Sequence, residues 1–318
     1  MNTNPFKPAW WLRNRHLQTI WPTLFRRRIK NLPLWRERIE LPDGDFIDLD
    51  WTGHPKAPLV LILHGLEGSI FSPYARGMLQ ALHHHGWCGV FMHFRGCSGE
   101  DNRLLRAYHA GDTEDIAYIL KILQQRSSGL PMAAIGFSLG GNILLKWLGQ
   151  TQEKNLLSAA VAISVPFDLH KSVQTITTGF SKIYEKYILN CLCKKTRRKL
   201  QSQINTRQFP KISSLKTLYD FDNQVTAPLH GFNDAMEYYA LSSCRQYLSN
   251  IQVPTLLLQA KDDPFVTPDS LPQPHELASA IQFELTAKGG HVGFVSGELW
   301  KVRYWLEERV PQFLSQYL

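Results

Sequence analysis

Cysteine is scarce in this chain: five in 318 residues, at positions 88, 97, 191, 193 and 244. That number and spacing give no paired framework, which excludes a disulfide-stapled fold. Cys191-Leu192-Cys193 lacks the spacing and the histidine companions of a zinc site. Ordinary free thiols in a reducing cytosol are the expectation, and no metal or organic cofactor is called for. Long apolar runs are missing too. None approaches the length of a membrane span, and the N-terminus has no apolar signal core, which predicts a protein kept in the cytoplasm. There is no internal repeat and no low-complexity tract. Acidic residues run short, 27 against 35 Lys and Arg, leaving a formal charge of +8. The basic residues gather at Arg13, Arg15, Arg26, Arg27, Arg28 and Lys30, and again at Lys194, Lys195, Arg197, Arg198 and Lys199. The first cluster is mixed with Trp10, Trp11, Trp21, Leu24 and Phe25, a combination suited to peripheral contact with an anionic inner-membrane face. A solvated basic face is the plainer reading. No nucleic-acid module accompanies the charge, so nucleic acid is not an expected partner.

What is present is a large core. The hydrophobic fraction is 44%, and strand-like and helix-like segments alternate along the chain. Trp35 to Leu41 and Phe46 to Trp51 read as an opening antiparallel hairpin, with Asp43-Gly44 at its turn. Leu59 to Leu63, Trp87 to Phe94, Pro131 to Ile135, Leu157 to Val165, Pro254 to Ala260 and Ile281 to Leu285 read as further strands. Helices are predicted over Ser72 to His84, Asp112 to Gln125, Gly141 to Leu148, and Glu298 to Tyr317, the last interrupted at Pro311. His83, His84 and His85 form a polar helix end. The alternation implies an α/β fold with a mainly parallel eight-stranded sheet covered by helices on both faces. Residues 167–250 break the rhythm with helical patterning and many aromatics, among them Phe180, Tyr184, Tyr187, Phe209 and Tyr239. They are predicted to be a helical cap inserted after the sixth strand of one domain spanning 1–318.

The segment Gly136-Phe137-Ser138-Leu139-Gly140 sits between a strand and a helix. A serine between glycines in that context is a nucleophile elbow. The turn is too tight for flanking side chains, it lifts the hydroxyl clear of the sheet, and it leaves the Leu139 N–H facing a developing oxyanion. A nucleophilic serine needs a base and the base needs an orienting acid, in the chain order Ser, Asp, His for this arrangement. Asp262 and Asp263 compete for the acid after the strand ending at Ala260. Asp263, which opens Asp-Pro-Phe-Val-Thr-Pro, is preferred, and Asp262 is read as a turn residue bonding nearby backbone. His291, between Gly289-Gly290 and Val292-Gly293 after the last strand, is the base. The second oxyanion donor is assigned to the N–H of Leu66 in His64-Gly65-Leu66-Glu67-Gly68, where His64 braces the loop.

Taken together, Arg15 to Thr19, Leu41 to Asp45, His64 to Ser69, His93 to Glu100, Gly136 to Asn142, Ala260 to Phe265 and Gly289 to Phe294 resemble the YheT-like group of α/β-hydrolases (AB hydrolase family 4). That group includes bacterial hydrolases and eukaryotic lipid esterases and acyltransferases. The resemblance spans nearly the whole chain. It implies the α/β-hydrolase fold, a Ser138, Asp263, His291 triad, and cleavage of small-molecule or lipid carboxylic esters through an acyl-enzyme. An acyltransferase or phospholipase on the same triad, and a non-catalytic lipid-binding protein, are the alternatives.

Overall fold

Leu59–Leu63 reads LVLIL, and all five side chains are buried. Strands this apolar need cover on both faces, and that fixes the architecture. The computed structural model describes residues 6–318 apart from 27–28, 30, 128 and 202–211; Arg27, Arg28, Lys30 and Phe209 therefore lie outside the described residues. One eight-stranded sheet runs in the order β1-β2-β4-β3-β5-β6-β7-β8. Its members are β1 Trp35–Glu40, β2 Phe46–Thr52, β3 Leu59–Leu63, β4 Cys88–Met92, β5 Met132–Phe137, β6 Ala159–Ile163, β7 Thr255–Ala260 and β8 Ile281–Thr286. The β1–β2 and β2–β4 pairs are antiparallel; the other five ladders are parallel. This is the α/β-hydrolase architecture, mixed but mostly parallel.

Helices α1 Arg15–Phe25, α2 Ala75–His84, α3 Glu114–Arg126 and α4 Leu139–Thr151 precede the insertion. Between β6 and β7 the chain leaves the sheet and returns through α5 Leu169–Ile176, α6 Lys182–Gln201, α7 Leu218–Phe221, α8 Ala227–Leu229 and α9 Ala235–Ser242. A π-helical turn, Asp222–Thr226, joins α7 to α8. This helical insertion has a small core of its own, built on Ile176, Leu189, Leu218, Phe221 and Val225. Two further cores line the two faces of the sheet. One contains Ile62, Phe91, Ile135 and Val310, the other Leu61, Val90, Ile119 and Leu144.

The C-terminus departs from its sequence reading. The expected helix over 298–317 starts only at Leu306, as α10 Leu306–Leu314. A short hairpin precedes it, β9 Val295–Glu298 against β10 Lys301–Tyr304. The alternation of Lys301-Val302-Arg303-Tyr304 has the period of a strand, and Gly297 takes φ +81°, which a helix cannot hold. Pro311 does not interrupt α10. It costs one backbone donor, but Val310, Phe313 and Leu314 are buried on the sheet, and the Ser315 N–H still reaches Pro311 O at 2.9 Å. α1 is a second departure. Its buried residues are Gln18 and Pro22, so it carries no apolar stripe toward the core by which a sequence pattern could announce it. All five cysteines are free.

Candidate active site

β5 ends at Phe137 and α4 begins at Leu139, so Ser138 is the whole of the turn between them. Its backbone holds φ 51°, ψ −117°, a strained conformation for a residue with a side chain. The Ser138 N–H is tied to Ile163 O at 2.8 Å. The flanking glycines are required by packing. A Cβ on Gly136 would lie 2.5 Å from Gly140 O, and one on Gly140 would lie 2.6 Å from both Leu63 O and His64 O. The turn therefore presents the hydroxyl at the N-terminus of α4, where unpaired N–H groups and the helix dipole favour negative charge.

The Ser138 hydroxyl is 2.9 Å from His291 Nε2, and His291 Nδ1 is 2.9 Å from Asp263 Oδ2. Asp263 is 1% exposed. Its other contacts are donors: Phe265 N–H to Oδ1 at 2.9 Å and Gln259 Nε2 to Oδ2 at 3.1 Å. With two donors already turned on it, the carboxylate accepts the His291 Nδ1–H and leaves the Nε2 lone pair toward Ser138. The Phe265 ring packs 4.2 Å from the imidazole. Asp262 is turned elsewhere: its Oδ1 accepts the Gly290 N–H at 3.0 Å, and burial pushes its carboxyl up from the usual range.

The histidine loop is held residue by residue. After Gly290, the His291 N–H donates to Thr19 Oγ1 at 2.9 Å, the Val292 N–H to Ser164 Oγ at 3.0 Å, and the Val295 N–H to Gln18 Oε1 at 2.8 Å. Gln18, fully buried, also donates to Leu12 O and Val295 O, both at 2.9 Å. Gly290 sits at φ +61°, and a Cβ there would meet Arg15 O at 2.6 Å and Thr19 Oγ1 at 2.7 Å. Thr19, Gln18 and Ser164 carry no chemistry legible in sequence. The only signal for Gln18 and Thr19 was that Arg15 to Thr19 formed one of the shared segments; Ser164 had none.

Opposite the serine lies the loop from His64 to Gly68. A Cβ on Gly65 would be 3.2 Å from Ser138 Cβ. His64 is fully buried; its Nδ1–H donates to Gly65 O at 2.7 Å, and Nε2 accepts the Phe94 N–H at 3.1 Å. Burial lowers its pKa to about 3, so it stays neutral and braces the loop. The Gly65 N–H goes to Tyr74 Oη (2.9 Å) and the Glu67 N–H to Tyr108 Oη (2.8 Å). The Leu66 N–H between them has no acceptor among the described residues. Glu67 is clamped further, accepting from Tyr108 Oη at 2.8 Å and from Lys195 Nζ of α6 at 2.7 Å. Lys195, Arg198 and Lys199 of the second basic cluster are thus engaged within the protein, Arg198 with Asp101 and Lys199 with Asn102. Arg26 of the first cluster is paired with Glu307.

Ser138 and His291 open into a groove of about 490 Å³. Past Leu66 and Leu139 the walls continue into a mainly apolar chamber of about 140 Å³, with Leu169, Val173 and Leu218 lining both. His109 and His230 also line the chamber, their ring centroids 4.4 Å apart and their planes tilted by 44°. Burial lowers them to about 2 and about 4. Asp222, on the π-helical turn, is pushed up to about 6 by burial and accepts from Tyr239 Oη and Thr226 Oγ1, both at 2.8 Å. Among the described residues, no group of three or more His, Cys, Asp or Glu is disposed to hold a metal ion.

Residues 58–298 match the family model described as the alpha/beta hydrolase fold. YheT of Escherichia coli strain K12, provisionally named an esterase, is 44% identical over 319 residues, covering 98% of this chain and 94% of its own. Phospholipase ABHD3 of Mus musculus is 29% identical over 321 residues, covering 93% of this chain and 77% of its own. Among solved structures, the Pyrococcus furiosus esterase Pf2001 superposes with a TM-score of 0.60 at 16% identity, over 92% of this chain and 96% of that one. At that identity the likeness speaks for the fold alone. The chain belongs to the alpha/beta hydrolase family, within its YheT-like group.

Proposed function

We propose that the protein is a serine hydrolase that cleaves carboxylic esters through an acyl-enzyme. The observation that carries this reading is the hydrogen-bonded line from Ser138 through His291 to Asp263 at the floor of an open groove. His291 takes the Ser138 proton at Nε2 as the hydroxyl attacks the ester carbonyl. The Leu66 and Leu139 N–H groups receive the oxyanion. His291 then protonates the departing alcohol and activates the water that releases the acid. Asp263 stays ionised, keeps the proton on Nδ1 and stabilises the imidazolium. The acyl chain lies in the apolar chamber beyond Leu66 and Leu139. The helical insertion, residues 167–250, acts as a cap that walls this chamber from solvent. The esterase and phospholipase names of the relatives point to the same substrate class.

The test is labelling with a fluorophosphonate, which reports an activated serine whatever the substrate. The wild type is expected to label and to hydrolyse p-nitrophenyl esters. Ser138→Ala is expected to do neither, losing on the order of 10⁴-fold or more in rate with its fold intact. Turnover retained by pure Ser138→Ala would overturn the assignment.

A further inference from the structure

Helix α1 faces the wrong way for a helix of a soluble enzyme. Its inward residues are Gln18 and Pro22, while Leu17, Leu24 and Phe25 stand 51%, 65% and 59% exposed. Those three fall at i, i+7 and i+8, on one side of the helix. Two more elements do the same nearby. The loop after Gly68 exposes Phe71, and α6 exposes Ile183 and Tyr187 one turn apart. Bulky apolar side chains normally reach such exposure singly; grouped, they mark a surface made to be covered.

These elements surround one opening. Thr19 and Thr23 of α1, Phe71, and Tyr187 of α6 all line the groove that holds Ser138 and His291. α1 and the start of α6 adjoin: the His16 ring lies 4.5 Å from Phe180, itself 49% exposed, and 5.9 Å from Tyr184. The exposed charge on these two helices has one sign. α1 contains no acidic residue. α6 contains one, Glu185, which is buried and accepts the Leu218 N–H at 3.0 Å. Arg15, Lys182, Lys186 and Lys194 are exposed on the same two helices.

We infer that this rim is the surface by which the protein docks on an anionic lipid bilayer, with the groove opening onto the membrane. Protruding apolar side chains enter the headgroup boundary while the lysines and arginines meet lipid phosphate. A bilayer suits the rim better than a protein partner does, because the covered surface is the mouth of the groove. A docked helix or second copy would stop it, whereas a bilayer supplies what enters. Phe and Tyr at the rim, beside cationic neighbours, match the composition of membrane-interface belts. No described helix is long and apolar enough to cross a membrane, so this contact is peripheral. The inference deepens the ester-hydrolase reading by placing the substrate in a membrane, yet binding itself needs no working serine.

The experiment uses full-length Ser138→Ala in vesicle co-sedimentation, with phosphatidylcholine alone and with roughly one-third phosphatidylglycerol, at low and high salt. Binding is expected to the anionic vesicles, to fall as salt rises, and to drop at least about tenfold in Leu17→Asp/Ile183→Asp, two exposed positions outside the groove lining. The same pair of substitutions on the Ser138 protein should leave hydrolysis of a soluble acetyl ester within about twofold, as expected of changes away from the reacting groups. Three outcomes overturn the inference: no binding to anionic vesicles, binding indifferent to the double substitution, or a dimer in sedimentation that the double substitution dissolves, which would make the rim an interface between copies. A wild-type protein that binds the anionic vesicles but takes no fluorophosphonate label would instead sink the hydrolase reading alone.

Discussion

Asp263→Asn changes one atom and should nearly silence the enzyme. Asp263 sits among three donors: Phe265 N–H on Oδ1, and Gln259 Nε2 and His291 Nδ1 on Oδ2. An asparagine cannot accept from all of them. If its carbonyl keeps the Phe265 N–H, its NH₂ faces His291 Nδ1. That nitrogen must then accept, which moves the ring proton to Nε2 and points it at the Ser138 hydroxyl. The base is lost. If the amide flips, the NH₂ meets the Phe265 N–H, and a buried donor goes unpaired at a cost of about 1–3 kcal/mol. In either pose the imidazolium formed during reaction loses its counter-charge. Two unit charges about 4 Å apart at an effective dielectric of about 20 interact by about 4 kcal/mol, or about three decades in rate. The expected fall in kcat is therefore about 10³- to 10⁴-fold. Asp262→Asn keeps an oxygen for the Gly290 N–H and should stay within about threefold. Steady-state hydrolysis of a p-nitrophenyl ester, with melting temperatures to confirm folding, measures both. An Asp263→Asn enzyme retaining a tenth of wild-type kcat, or an Asp262→Asn enzyme falling as far as Asp263→Asn, would refute the reasoning.

Thr19→Val removes the acceptor of the His291 N–H and should lower kcat about tenfold with KM little changed, while Thr19→Ser restores it; a serine variant as slow as the valine variant would reduce Thr19 to packing. Val173 lines both groove and chamber. In the wild type kcat/KM should climb with acyl length, at about 0.8 kcal/mol per buried methylene, until the chamber is full. Val173→Phe should bring that limit to shorter chains and spare acetyl esters; a flat length profile in the wild type would discard the chamber as an acyl site. His230 is held to about 4 by burial, against about 6.5 when unfolded. The native state keeps it neutral while the unfolded chain binds a proton, so its contribution is complete above pH 6.5 and is lost as pH falls toward 4. Relative to His230→Asn, wild-type unfolding free energy from urea titrations should drop by at most about 3 kcal/mol over that window. Parallel pH curves for the two proteins would contradict the burial argument.

The sheet was legible because its strands are buried on both faces: LVLIL, CGVFM and AAVAI read as strands without any partner in view. The serine was legible for a local reason, since strand, glycine-flanked serine and helix are contiguous. Asp263 and His291 were proposed as acid and base from where strands end, and the fold brings both side chains to Ser138. What the sequence hid acts at long range or against pattern. The Thr19–His291 bond joins residues 272 apart, and nothing near either marks it. α1 turns Gln18 inward and leucine outward, the reverse of the amphipathic signature. The β9–β10 hairpin has strands four residues long, too brief for alternation to outweigh the helical look of the segment around it. The basic clusters hid something else. Charge counts do not reveal that Arg26, Lys195 and Arg198 are paired within the fold.

The grip of Gln18 on Val295 has a consequence for how the molecule comes into being. Ribosomes deliver α1 well before the histidine loop, and the two meet at a separation of 277 positions along the chain. Contacts of such separation form late, because the entropy of closing so long a loop must be met before they contribute anything. The elbow needs only neighbours from the sheet, so a nascent chain can shape Ser138 well before any base stands beside it. Fluorophosphonate reactivity gained during refolding would then follow the meeting of α1 with the histidine loop, trailing the far-ultraviolet signal of the sheet.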